Sequence, residues 1–477
     1  VYSFISFFRC NRMDSPAVTT VASWSDLLNR QHLPLLLTLC LAMWLHATNT
    51  LLTATTMPSA VGELGGLNLI SWTFALYLMG SILAGAASSI LVIRYGLRTT
   101  MISAALIYVA GSVVCATAAN MPVVLVGRTL QGLGGGCLVG TVFIAQSRFF
   151  QPEHVPRVVA MISVVWMLAT FASPMIGGAF STWADWRYAF WAFAVQAVLL
   201  AAIIRLMMRA SRSSSDRAAT GLPVIRLGLL AMAILMIAAA GVQFHTILSP
   251  ILVISGLACI VYFVYRDAHS ENDRMFPRSV ADLRHQLTSG IMTVLLLCLS
   301  IMSLVTYGPF ILIELHGMTP FTAGLILMLE SLAWGIMALT FSSTPSKHEH
   351  LLIRFGSAFV LIGLVACAVT FPYGPIWLIA VSAMISTGGF GMMWGFIIKR
   401  IQGSASKEEK DRTSSLLPIT QQMGFALGAA FCGLIANSLG LASDLPVEQI
   451  QRAAFWIFAG FIPLALCGNF TAWRFSR

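Results

Sequence analysis

Glu330 holds the position in this chain that is hardest to account for without chemistry. The chain carries 18 acidic residues, and all but Glu330 fall in polar connections or at the ends of apolar runs; Glu330 lies near the centre of one such run, 319–342. An ionisable group in hydrocarbon is costly and marks an ion or proton path. A buried carboxyl whose exposure changes can take up and release a proton. His46, near the middle of the first apolar run, and Arg128, in the fourth, are its candidate electrostatic partners, so Glu330, His46 and Arg128 form the proton-coupling set. Two alternatives need no chemistry: a neutral Glu330 bonded to a neighbouring helix, and a plain core histidine at 46.

Around Arg128 the sequence reads Gly127-Arg128-Thr129-Leu130-Gln131-Gly132-Leu133-Gly134-Gly135-Gly136. On a helix, positions 128, 131, 132, 135 and 136 share one face, which sets a guanidinium above a glycine-lined groove. Such an arginine either faces protein or water and binds something, or snorkels to the outer surface. Asn49, Gln131, Trp334 and Trp394 are the further candidates for a substrate cavity. In the fifth run, Ser173, Pro174, Gly177 and Gly178 combine small residues at helical spacing with a proline that removes a backbone hydrogen bond, which suits a helix that rocks against its partner. Plain helix packing explains the same residues. His348-Glu349-His350 has no third ligand and reads as solvated surface, so no metal site is expected.

These residues must be carried by membrane-spanning helices. Of the 477 residues, 58% are hydrophobic and 10% charged, against about 25% charged in an ordinary globular domain. Mean hydropathy is +0.84. A soluble enzyme, a disordered regulator and a nucleic-acid binder are excluded, and the apolar runs lack the alternation of an outer-membrane barrel. Runs of about 20 apolar residues recur near 33–57, 70–93, 99–119, 121–147, 156–182 and 187–209. Two more lie near 223–243 and 246–265, and six near 287–313, 319–342, 351–371, 375–398, 415–440 and 451–473. The expected fold is an all-α polytopic membrane protein of about fourteen transmembrane helices: two pseudo-symmetric six-helix halves plus two extra helices. The expected organisation is a leader at 1–32, an N-terminal bundle at 33–209, a linker with the two extra helices at 210–286 and a C-terminal bundle at 287–477. Val1–Arg12 reads as carry-through from upstream of a start at Met13, or Val1 as a non-standard start.

The net charge of +10 follows the positive-inside rule rather than a nucleic-acid footprint. With both termini cytoplasmic, every Lys and Arg falls on that side except Arg187, Arg452 and the intramembrane Arg128. The nine cysteines show no metal spacing and, Cys10 of the leader aside, sit inside apolar runs as small packing residues.

Taken together these segments resemble the major facilitator superfamily, and more narrowly its fourteen-span drug:proton antiporter branch, over nearly the whole length. The family's fourth-helix pattern, R-x-x-Q-G followed by small residues, is met by Arg128, Gln131 and Gly132. The antiporter pattern G-x-x-x-G-P-x-x-G-G reads here as Ala169, Ser173, Pro174, Gly177 and Gly178. The W-R-W-x-F-like turn after it reads Asp185-Trp186-Arg187-Tyr188-Ala189-Phe190. Gln421, Gln422, Gly424 and Gly428 resemble the matching helix of the second half, and Thr387-Gly388-Gly389-Phe390-Gly391 stands where the fourth-helix equivalent belongs. Three departures stand out. In the gate loop G-x-x-x-D-R-x-G-R-R/K, Ser89 and Ile93 replace the glycine and the aspartate, leaving Arg94, Gly96 and Arg98. The first-helix aspartate of L-D-x-T is matched by Asn49, followed by Thr50 and, downstream, Pro58. Residues 342–350 keep nothing of the gate repeat.

The resemblance implies a secondary active transporter working by alternating access, most simply proton-coupled efflux of amphipathic drugs or toxic compounds. A dedicated exporter of one metabolite, such as a siderophore, is the alternative that the lost aspartate and altered gate raise. A transport-dead sensor on a transporter scaffold is the third. The resemblance places the chain in a bacterial inner membrane, as a monomer, with a small molecule, protons and lipid as partners and no cofactor. No G-x-x-x-x-G-K-[ST] loop is present for ATP, and no catalytic constellation marks an enzyme.

Overall fold

The computed structural model describes residues 33–65, 70–183, 185–208, 224–242, 247–270, 274–282, 285–318, 320–406, 409–439 and 446–477. The expected leader and the stretch 210–222 lie outside these. The described residues form helices and contain no strand, as a bilayer demands of a backbone that must bond to itself. In chain order the helices are α1 (Leu33–Leu64), α2 (Ile70–Tyr95), α3 (Leu97–Ala116), α4 (Met121–Phe149), α5 (Val155–Trp183), α6 (Arg187–Met207), α7 (Val224–Val242) and α8 (Leu248–Ala268). There follow α9 (Gln286–His316), α10 (Pro320–Phe341), α11 (Glu349–Tyr373), α12 (Ile376–Gly403), α13 (Lys410–Ser438), α14 (Val447–Ala459) and α15 (Ile462–Phe475).

Twelve segments among the described residues are long and apolar enough to cross a bilayer, α14 and α15 together making one. The fourteen expected from sequence are not reached, because the described apolar parts of α1 and α7 are the shorter stretches Leu33–Asn49 and Ile225–Ile237.

Local chemistry sets several boundaries. Asn120 caps α4 by accepting a hydrogen bond from Val123 N at 3.1 Å, with a proline in the first turn. Gly96 turns α2 into α3 in a single residue at φ 80°, a conformation that a side chain at that position would strain. The motif glycine is therefore a hinge of backbone geometry.

The α4 glycines pack on two neighbours at once. On one face, a Cβ at Gly132 would overlap the Tyr77 carbonyl, and one at Gly136 the Ser81 carbonyl, both on α2. On the other, a Cβ at Gly127 would lie 2.8 Å from Gly111 O, and one at Gly134 2.6 Å from Ala104 O, both on α3. This is the small-residue packing that lets membrane helices touch backbone to backbone. The second half repeats it on α12. A Cβ at Gly391 would overlap the Trp334 carbonyl of α10, and one at Gly389 would lie 2.6 Å from Gly356 O of α11. So α12 is the structural counterpart of α4, Gly391 of Gly132, and Trp334 of Tyr77.

The extra pair α7 and α8 is joined by a buried ion pair, Arg226 Nη1 to Asp267 Oδ1 at 2.7 Å. Asp267 also accepts from Met275 N at 3.0 Å and Phe276 N at 2.8 Å, which fixes the chain after α8. The pair lies against the main bundle, with α7 touching both α2 and α13.

Candidate functional site

Four of the predicted residues come together in the N-terminal half. Arg128 is wholly buried and its bonds run inward, so the snorkelling alternative fails. Nε donates to Thr73 O at 3.2 Å, and Nη1 donates to Asn49 Oδ1 at 2.5 Å and to Gln131 Oε1 at 2.9 Å. Gln131 is held in turn by donating from Nε2 to Ser112 Oγ at 2.9 Å. The guanidinium carbon sits 4.4 Å from the centre of the Tyr77 ring, in cation–π contact. Tyr77 and His46 share a 2.8 Å hydrogen bond between the hydroxyl and Nδ1, and Trp166 meets the His46 ring edge-on at 6.0 Å. The cluster thus joins α1, α2, α3, α4 and α5.

Glu330 is not part of it. It is buried in α10, and among the described residues no hydrogen bond or ion pair reaches its carboxyl. The expected partnership with His46 or Arg128 is not formed, because Arg128 spends its bonds on neutral groups within its own half. The placement of Glu330 is nevertheless systematic. Thr73 lies one helical turn before Tyr77, and Glu330 one turn before Trp334. Arg128 lies one turn before Gly132, and Thr387 one turn before Gly391. Arg128 donates to the carbonyl of Thr73, and Thr387 Oγ1 donates to the carbonyl of Glu330 at 3.0 Å. The two halves therefore use the same backbone contact, with a cation beside it in one and an acid in the other.

Trp334 crosses between the halves, donating from Nε1 to Ser163 Oγ on α5 at 3.3 Å. It stacks on Phe390 at 4.6 Å, and Phe390 on the buried Trp394 at 5.2 Å. Ser173 is buried and returns its hydroxyl to Ala169 O within α5. Pro174, Gly177 and Gly178 fall within α5, but their side-chain surroundings lie outside the described residues.

The halves meet at the end rich in Lys and Arg, called here the basic end. Arg148, at the end of α4, makes a two-pronged ion pair with Asp411 at the start of α13: Nε to Oδ1 at 2.8 Å, with Nη2 against Oδ2. Gln402 Nε2 donates to Phe143 O at 3.4 Å, and a Cβ at Gly395 would lie 3.0 Å from Pro156 Cα. Arg274, after α8, reaches Glu409 at 3.5 Å. The main hydrophobic core runs across both halves here, whereas a second core, around Leu304, Phe371 and Phe458, belongs to the C-terminal half and the extra helices. Arg98 donates to Arg205 O within its own half, and Arg94 packs on the Tyr95 ring at 5.3 Å. The opposite end carries a cluster in which the exposed Glu63 accepts from Arg187 Nη1 at 2.7 Å and from the buried Trp186 Nε1 at 2.9 Å. These bonds hold the Glu63 carboxyl below its ordinary value.

Sequence reasoning missed Thr73, Tyr77, Ser112, Ser163, Trp166, Arg148 and Asp411. The neutral ones carry no charge to flag them among so many similar residues. The ion pair joins positions far apart in the chain, each looking like an ordinary loop charge. The signal that was available is the glycine register on α4 and α12, which, once aligned, points to the paired positions on α2 and α10.

A family profile for the Major Facilitator Superfamily matches residues 39–429. The chain is 27% identical over 431 residues to a probable multidrug-efflux transporter of Mycobacterium tuberculosis, covering 87% of this chain and 90% of that one. It is 22% identical over 435 residues to the multidrug efflux pump SdrM of Staphylococcus aureus, covering 88% and 95%. Its fold is similar to that of the proton:xylose symporter XylE, with a TM-score of 0.64 and 15% identity over 93% of this chain and 96% of that one. With its helical halves, their repeated glycine contacts and a profile match over most of its length, this chain belongs to the Major Facilitator Superfamily of membrane transporters.

Proposed function

We propose that this protein is a secondary exporter of amphipathic compounds, working by alternating access and driven by protons through Glu330. The observation that carries the reading is the asymmetry of the inter-half contacts. At the basic end they are Arg148–Asp411, Gln402–Phe143 and Gly395–Pro156, and they reach inward to Trp334–Ser163, one turn from Glu330. The Arg128 cluster and Glu330 lie inward of the basic-end contacts, on separate halves. Rocking of the halves about this region would open one end as the other closes. In this reading the basic end and both termini are cytoplasmic, the protein works as a monomer in a bacterial inner membrane, and α1 and α7 complete fourteen spans.

The efflux names of the M. tuberculosis and S. aureus relatives support a drug-like cargo. Asn49 cannot titrate, so coupling passes to Glu330, a buried acid with no ion-pair partner among the described residues. Asn49 also favours one second reading, a dedicated exporter of a single metabolite, because the cluster around Arg128 is a specific set of hydrogen-bonding groups. The test is transport by the purified full chain in vesicles carrying an internal pH dye, with an imposed pH gradient. Wild-type protein should move protons when an amphipathic dye is added, and Glu330→Gln should not. Proton movement unchanged in Glu330→Gln would remove Glu330 from the mechanism. A failure of every amphipathic dye, with one compound accumulating in a deletion strain, would favour the dedicated exporter.

A further inference from the structure

We propose that the Arg128 cluster is a binding site for a monovalent anionic group, supplied either by the carboxylate of an amphipathic cargo or by a free halide. A guanidinium has five N–H donors and stays charged. Three are used: Nε on Thr73 O, and Nη1 on Asn49 Oδ1 and Gln131 Oε1. Nη2 is buried and has no hydrogen-bond partner among the described residues. Every acceptor that Arg128 does reach is neutral. Two other shielded cations do face carboxylates: the buried Arg226 meets Asp267 at 2.7 Å, and the half-buried Lys399 meets Glu349 at 2.6 Å. A buried charge is stable only when its solvation is replaced by a counter-charge or a full set of hydrogen bonds. Arg128 has no carboxylate and two uncommitted donors, so the missing element is an anion.

Gly135 faces the same group of side chains, and a Cβ there would lie 3.0 Å from the Tyr77 hydroxyl and 3.2 Å from His46 Nδ1. A methyl group at 135 would crowd that polar edge, and the bare glycine does not. Tyr77 offers its face to the guanidinium and its hydroxyl to His46, which fixes the charge in place before a ligand arrives. Only Nη2 remains to donate, which suits a single oxygen of a carboxylate or a halide better than the two-oxygen grip of a free guanidinium.

The site deepens the export reading by naming a class of cargo, and it is tested by binding alone. The probes are 1-naphthoate, its neutral amide 1-naphthamide and the cation 1-naphthylmethyltrimethylammonium, titrated onto purified full-length protein in gluconate and in chloride buffers. Wild-type protein should hold naphthoate at least about tenfold tighter than the amide, and the cation weakest. Asn49→Asp places a carboxylate against Nη1 and should bring the naphthoate-to-amide ratio to about one. Gly135→Ala crowds the Tyr77–His46 edge and should lower naphthoate affinity with Arg128 intact. These two variants keep the guanidinium's packing, so the test does not depend on an Arg128 variant folding. If a halide is the occupant, chloride should raise the wild-type Tm and compete with naphthoate, and do neither in Asn49→Asp. If only a cargo carboxylate binds, chloride changes nothing. Equal affinities for naphthoate and the amide with no chloride effect would overturn the proposal, as would an anion preference that survives Asn49→Asp. Absence of export would sink the transport reading and leave these binding results standing, and the reverse also holds.

Discussion

Reversing one charge of the Arg148–Asp411 pair tests whether that contact keeps the basic end closed. The side chains are 30% and 15% exposed, so water screens the pair in part. An ion pair in that setting contributes about 1 kcal/mol at most, and the two-pronged geometry places this one at the upper end. Arg148→Asp removes that attraction and adds a repulsion of similar size. The closed arrangement should lose about 2 kcal/mol, close to a thirtyfold change in its equilibrium with the open one. An open population of about 1% would then rise to about 20%. The readout is the distance between spin labels at Gln151→Cys and Gly403→Cys, both exposed at the basic end and one on each half. Cys10, Cys40, Cys259 and Cys467 would be replaced beforehand so that labels react only where intended. Arg148→Asp should broaden the distribution towards longer distances, and the swap Arg148→Asp with Asp411→Arg should bring it back. A wild-type distribution in the single variant, or a swap that restores nothing, would refute the reasoning.

Two further perturbations follow from packing and from charge. Gly136→Ala drives a methyl group into the Ser81 carbonyl and should destabilise the protein by about 1–3 kcal/mol, whereas Gly228→Ala, with nothing within 4 Å, should be neutral or slightly stabilising; thermal melts in detergent that fail to separate the two would contradict the backbone-to-backbone packing. At the opposite end, α1 is 32 residues long, about 48 Å, so Glu63 in its last turn lies beyond the hydrocarbon. Its carboxyl is held below the ordinary 4.5 by Arg187 and Trp186. A depressed carboxyl adds stability above its unfolded value and loses it as pH falls through its folded value. The Tm gap between wild type and Glu63→Gln should therefore be constant above about pH 4.5 and close below it; a gap that persists in stronger acid argues against the contact.

How far the sequence was legible depended on what kind of force set each feature. Helical class and membrane residence follow from apolar length alone, which is why α2–α6 and α8–α13 fall where the hydropathy runs place them. The predicted face of Arg128, Gln131 and Gly132 was legible because helical spacing is local. The pairing of Arg128 with Glu330 was not, since two lone charges in oil invite being matched, and nothing local says that Asn49 and Gln131 satisfy the arginine first. The Arg148–Asp411 contact between the halves was illegible for a related reason: its two charges stand 263 positions apart, and each looks like an ordinary loop charge. Long-range ion pairs leave no periodic trace.

The repeated carbonyl contact sharpens what the two buried charges can be to each other. Arg128 and Thr387 approach Thr73 and Glu330 from the same register of their helices, so each half holds its charge within its own framework, with no partner shared between them. Perturbations at such sites usually combine additively, to within about 0.5 kcal/mol. Naphthoate affinity measured at one pH in Asn49→Asp, Glu330→Gln and the double variant should therefore close a cycle within about twofold. A much larger coupling would mean that acid and cation meet, or share one conformational equilibrium, during binding. The fixed cation would then not be the cargo's counter-charge but the acid's, and the division of labour between the halves would fail.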